Sequence, residues 1–249
     1  MRGAVAIFRR EFAGTLDSPV AWVAFAIFVL CLHTAFYFLG YPIGQHQQPA
    51  LWAGRVATLD ALFAWLPLFF SIMAPALTMG SWAEERRSGT DELLLTQPIS
   101  LGSIVLGKFL SAWALLTVIT AIAVFAAAGL VTSIGPLDWG TVFGGVVGAI
   151  LLAGVSIAIG LVASALTQEQ LVAFLAGALV LSSLWSAGLF VRVVPGPLAE
   201  VLWYASPSLH FLESGARGLF DARDLVYYGL FMACALLLNK VVMEGRRWD

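Results

Sequence analysis

Residues 109–137 read FLSAWALLTVITAIAVFAAAGLVTSIGPL, running from Phe109 to Leu137 without one Asp, Glu, Lys or Arg. A membrane-crossing helix needs about 20 mainly apolar residues. An ionised side chain at its centre costs at least about 2.5–3.5 kcal/mol on insertion scales. A run this long and this bare of charge therefore predicts a buried span. The same charges are absent from 18–54, 61–83, 139–168 and 170–191, and from the shorter 225–239. Working outward, six spans are expected near 20–40, 57–79, 103–131, 141–166, 171–191 and 224–243. The last reaches full length if Lys240 snorkels its ammonium to the interface. The polar cluster Tyr41-Pro42, Gly44-Gln45-His46-Gln47-Gln48-Pro49 reads as a loop inside the first gap. Pro67 and Pro75 predict kinks in the second span.

Composition agrees. Of 249 residues, 60% are hydrophobic and 11% charged, and mean hydropathy is +0.91. A soluble domain carries about 25% charged residues. Disorder needs low hydrophobicity, which is absent. With 13 Lys+Arg against 15 Asp+Glu there is no basic excess, so nucleic acid is excluded as a ligand. A β-barrel would show ten-residue alternating segments rather than continuous apolar runs. The chain reads as an all-α polytopic membrane protein, a single domain over 1–249.

Six spans put both termini on one side. That side carries Arg2, Arg9, Arg10, Arg86, Arg87, Lys108, Lys240, Arg246 and Arg247, and the other Arg55, Arg192, Arg217 and Arg223. The imbalance predicts cytoplasmic termini. The first span is expected to serve as the insertion signal.

Residues 1–17 are amphipathic, with Val5, Phe8, Phe12 and Leu16 at helical spacing and Arg2, Arg9 and Arg10 elsewhere on the wheel. This predicts a helix lying in the cytoplasmic interface. Ser18-Pro19 then starts the first span. The cytoplasmic loop 81–101 contains Glu84-Glu85-Arg86-Arg87-Ser88-Gly89-Thr90-Asp91-Glu92-Leu93-Leu94-Leu95-Thr96, then Pro98. It reads as a helix end, a break at Ser88-Gly89, and a short helix with an acidic start and a leucine ridge. Such a ridge either docks on another molecule or packs on this chain's helix ends or lipid.

Gly140, Gly144 and Gly148 recur at four-residue intervals, followed by Gly154 and Gly160, which allows close approach between helices. The segment 192–223 is expected outside the membrane, with a belt of His210, Glu213, Arg217, Asp221, Arg223 and Asp224.

Several patterns imitate catalysis. Gly102 to Lys108 fits seven positions of a phosphate-binding loop, but Phe109 stands where Ser or Thr must reach Mg²⁺. Gly154-Val155-Ser156 lacks the closing glycine of a nucleophile elbow, since Ala158 stands there. His210 has no second His or Cys nearby and reads as an interfacial anchor. His33 is a lone intramembrane imidazole. Cys31 and Cys234 give neither a disulfide framework nor a metal spacing, and read as small buried hydrophobes. No catalytic, cofactor-binding or metal residue is expected.

With these residues in view, the chain resembles the permease subunit of type-2 ABC transporters. The Glu84–Thr96 motif carries the resemblance, with Asp91 departing from an apolar residue. Ser206-Pro207, His210-Phe211, Arg217-Gly218, Asp221, Arg223-Asp224, Tyr227-Tyr228 and the tail Glu244 to Trp248 narrow it. They are similar to the gliding-motility-type branch and, more distantly, to the permease of nitrous-oxide-reductase maturation. The resemblance implies a bacterial cytoplasmic membrane. The 90–96 segment becomes a coupling helix, with Gly89, Thr90, Glu92, Leu93 and Leu94 set against a separate cytoplasmic ATPase. Glu84, Glu85, Arg86 and Arg87 contact the same subunit. ATP and Mg²⁺ belong to that partner, and this chain holds no cofactor. A second permease copy or a paralogue completes the pathway, and an extracytoplasmic accessory protein meets 192–223. A stand-alone channel or a structural anchor of an envelope complex is the alternative.

Overall fold

A computed structural model describes residues 2–42, 51, 57–90, 99–191, 194–218 and 222–245. Every regular element among these is helical. Helix α1 spans Arg2–Leu16 and α2 spans Pro19–Thr34, the latter continuing as a π-helical turn over Ala35–Leu39. Then come α3 (Asp60–Arg87), α4 (Leu101–Val131), α5 (Trp139–Leu166) and α6 (Gln170–Phe190). Two short helices, α7 (Pro197–Ala205) and α8 (Pro207–Glu213), lead through a 3₁₀ turn at Gly215–Arg217 to α9 (Ala222–Gly245). Six of these, α2 with its π turn, α3, α4, α5, α6 and α9, are long and apolar enough to cross a membrane.

Helices satisfy every backbone group internally, which hydrocarbon demands. Their starts are set by local chemistry. Pro19 begins α2 where its missing N–H costs nothing. Ser100 caps α4 by accepting from Ser103 N, and Asp138 caps α5 by accepting from Gly140 N at 2.8 Å. Helix α3 passes Pro67 and Pro75 without a break. It ends at Arg87, where Gly89 takes a φ of +69°.

Helix α5 is the centre. Its most apolar stretch is 78% buried, against 17% for α9 and 28% for α2. It touches α3, α4, α6, α8, α9 and the 3₁₀ turn. Cys31 and Cys234 are exposed on the outside of the bundle, not buried as their residue type suggests, because their helices α2 and α9 lie at its periphery.

The glycine stripe of α5 opens onto a partner that its spacing does not reveal. A Cβ on Gly144 would stand 2.3 Å from Gly218 Cα, and one on Gly148 2.8 Å from Gly215 Cα. At these two positions the close approach is to the turn after α8, whereas Gly154 and Gly160 further along α5 do meet spanning helices, at Met232 of α9 and at Thr78 and Ala74 of α3. Part of the 192–223 segment folds back into the bundle: Ser206, Pro207, Ser208, His210 and Phe211 are buried.

Helix α1 packs on the bundle through a residue outside its apolar stripe. Ile7 is its buried residue, at 5% exposure, whereas Val5 of the apolar stripe is 51% exposed. The reason is the glycine at 107. A Cβ there would lie 2.7 Å from Ile7 Cβ and 2.8 Å from Ala4 O, so the gap exists to receive α1. Contacts climb both helices together: Gly3 lies beside Ile99 and Ser103, Ile7 beside Gly107, Glu11 beside Lys108. Helix α1 therefore runs along the first turns of α4. The Trp22 indole closes the joint to α2 by donating to Leu16 O at 2.7 Å.

Candidate functional site

The face that carries the ends of α3, α5 and α9, and the starts of α2, α4 and α6, is the terminal face. Its polar centre is Lys108. This side chain is 1% exposed. Its ammonium sits 2.8 Å from Glu85 Oε1, 3.3 Å from Glu11 Oε1 and 2.7 Å from Ser81 O. It also lies 4.9 Å from the centre of the Trp82 ring, on whose electron-rich face a cation is attracted. Arg10 closes the group, with Nη2 2.7 Å from Glu11 Oε1 and 2.9 Å from Glu85 Oε1. The Glu11 hydrogen bond, with the charges of Glu11 and Glu85, holds the Arg10 guanidinium above its ordinary value. Two cations face two carboxylates here, so the buried Lys108 side chain has acidic partners on both neighbouring helices. The cluster binds α1, α3 and α4 at one point and borders a polar cavity of about 190 Å³ lined by Glu11, Thr15, Ser81, Lys108 and Ser111.

The residues read from sequence around this point fan out from it. Gln170 Nε2 donates to Glu84 Oε2, joining α3 to α6. Arg86 Nη1 donates to Ala165 O at 3.4 Å. Arg87 is 3.9 Å from Glu169, a solvent-exposed pair that contributes little. Thr90 Oγ1 donates to Glu85 O at 3.2 Å and shares a 2.9 Å hydrogen bond with Ser88 Oγ. Glu92, Leu93 and Leu94, and the 90–96 helix beyond Thr90, lie outside the described residues. Below the fan, Ser164 of α5 donates to Met79 O at 2.9 Å and accepts from Trp82 N and Ala83 N at 3.1 and 3.2 Å. It fastens α3 to α5 under the charged end.

At the opposite face, His210 Nδ1 lies 3.1 Å from Asp224 Oδ1. Its ring stacks on Tyr227 at 4.1 Å and lies 4.4 Å from Trp203. Tyr228 donates to Pro207 O at 2.8 Å. These contacts fix α8 to the start of α9. Arg217 ends the 3₁₀ turn, exposed and within electrostatic reach of Asp60. Arg223 is exposed at the start of α9. Asp221 lies outside the described residues. Ser156 Oγ donates to Leu152 O of its own helix, and His33 Nδ1 faces Val29 O, so each engages its own backbone.

In this geometry two long helices are pinned together beside the loop that links them. Residues 5–213 match the family described as ABC-2 family transporter protein. The chain belongs to the ABC-2 transporter family. Among curated proteins none matches it. As an ABC-2 protein it is a membrane permease subunit, and membership implies an ABC ATPase partner. The ABC-2 resemblance pointed to Glu84–Arg87 but passed over Lys108, Glu11, Arg10 and Ser164. In the sequence Lys108 shows as a cation eight residues into an apolar helix and as the end of the imperfect phosphate-loop pattern. Carboxylates at the same depth on α1 and α3 are the signal that could have paired it.

Proposed function

We propose that this permease couples ATP hydrolysis by a separate cytoplasmic ATPase to export or mechanical work across a bacterial cytoplasmic membrane. The terminal face is the cytoplasmic face, and the loop 88–100 receives the ATPase through Leu93 and Leu94. The observation that carries this reading is the rooting of that loop, on top of the family match. At 1.5 Å per residue, α3 and α4 are about 42 and 46 Å long, beyond the ~30 Å of hydrocarbon. Their surplus stands at the terminal face, where Lys108, Glu85 and Glu11 lock α4, α3 and α1 together. A push on the loop reaches α3 and, through Ser164, the central helix α5. Two permeases, identical or paralogous, complete the pathway. Within the family the gliding-motility-type branch fits the Ser206–Tyr228 run best. The 192–223 segment shapes the far exit or meets an extracytoplasmic accessory protein. ATP and Mg²⁺ are held by the partner.

The test is affinity purification in mild detergent with an ATPase assay on the eluate. A soluble ATPase with vanadate-sensitive activity is expected with the wild type. Leu93→Asp/Leu94→Asp should lose it while the chain stays in the membrane. Unchanged co-purification in that variant overturns the docking role. An eluate of this chain alone, without hydrolysis, gives the protein to the channel or anchor class instead.

A further inference from the structure

Among the described terminal-face cations, all but one have partners. Lys108 and Arg10 share Glu11 and Glu85, Arg87 faces Glu169, Lys240 faces Glu244, and Arg86 reaches Ala165 O. Arg9 is exposed, and among the described residues no acidic group pairs with it. It lines an otherwise apolar groove of about 650 Å³ between α1, α4 and α5. That volume falls within the roughly 300–1,000 Å³ of small-molecule pockets. The walls are Val5 and Phe8 of α1, Leu110, Trp113 and Val118 of α4, and Ile150 of α5. The Trp113 N–H is already spent on Ile150 O at 2.7 Å, so its ring offers only apolar surface. From Leu110 to Val118 the wall runs about 12 Å along α4, away from the terminal face.

We propose that this groove holds the upper acyl chain of an anionic phospholipid whose phosphate pairs with Arg9. A cation at the mouth and an apolar trough leading inward match an amphiphile with a negative head. Guanidinium takes phosphate oxygens two at a time. The walls do not select the lipid, since tails are as apolar as leucine. They fix its place, and Arg9 selects its charge. A zwitterionic head brings its own ammonium, which Arg9 repels. A second copy of the chain seated in the groove would bury an unpaired guanidinium, which is costly. This site stands whether or not an ATPase binds the loop.

The probe is native mass spectrometry of the full chain in detergent with equal phosphatidylglycerol and phosphatidylcholine. The wild type should retain phosphatidylglycerol about fivefold over phosphatidylcholine, the ratio corresponding to about 1 kcal/mol per cation near an anionic surface. Arg9→Gln should bring the ratio near one, and Arg9→Lys should keep the preference. Val118→Trp, which fills the trough and leaves Arg9 in place, should lower retention of both lipids. A ratio near one in the wild type, or one unchanged in Arg9→Gln, overturns the proposal. So do disulfide-linked dimers of Val118→Cys after replacement of Cys31 and Cys234, which would give the groove to a second copy.

Discussion

Lys108 and Glu85 meet at 2.8 Å with the lysine side chain 1% exposed, on two helices that the loop 88–100 joins. Removing Lys108 leaves Glu11 and Glu85 to share Arg10 alone, an imbalance in a largely buried cluster that costs about 3 kcal/mol. Lys108→Met should therefore destabilise the protein and lower the thermal midpoint in detergent by roughly 6–12 °C at about 2–4 °C per kcal/mol. Lys108→Met/Glu85→Gln should lose less than the sum of the single changes, because it restores one cation to one carboxylate, Arg10 with Glu11. Strict additivity in that cycle would remove Lys108 from the joint.

Ser164 tests the next link. It is fully buried and makes three hydrogen bonds to the backbone of α3. Side-chain hydrogen bonds between membrane helices contribute about 0.6 kcal/mol on average and up to about 1.7. Ser164→Ala should cost about 1 kcal/mol in the same melt. In the purified complex it should also lower ATP-driven turnover more than ATPase binding, since α5 no longer follows α3. Equal losses of binding and turnover would mean that Ser164 only holds the fold.

The six spans were legible because hydrocarbon forbids unpaired charge, and a charge-free run is visible in one dimension. The Ser88-Gly89 break was legible for a similar reason, since Gly89 sits at a φ of +69° that few other residues adopt. What the sequence hid depends on depth and rotation. Lys108 looked like part of an imperfect phosphate loop because its carboxylates lie 23 and 97 residues away. The side of α1 that packs on the bundle is decided by Gly107 on another helix, so Ile7, outside the apolar stripe, could not be picked out from the sequence. The stripe Gly144–Gly148 announced close packing but could not say that a turn, not a helix, would fill it.

That stripe gives a steric prediction. A methyl on Gly144 would stand 2.3 Å from Gly218 Cα, whose own φ of +72° leaves the turn little choice of shape. Gly144→Ala should cost about 1–3 kcal/mol by overpacking and lift the turn off α5. Gly129, with open space around its Cβ position, is the control and should tolerate alanine. Maleimide labelling of Ser208→Cys, a position 7% exposed, should rise in the Gly144 variant and not in the Gly129 one. Equal labelling in both would mean that the turn is not held by the stripe.

The same segment is held from the other side by His210 and Tyr228. Tyr228→Phe removes one hydrogen bond to Pro207 O and should cost about 1 kcal/mol. His210→Ala does more: it empties the space between Trp203 and Tyr227 and strands Asp224, for about 2–4 kcal/mol. Both changes loosen α8 from α9, so their combined effect should fall short of the sum by at least about 0.5 kcal/mol. Gly144→Ala acts through α5 and should raise Ser208→Cys labelling further in a His210→Ala background. If His210→Ala alone already gives the full labelling of the double variant, α9 and not α5 holds the segment in the bundle.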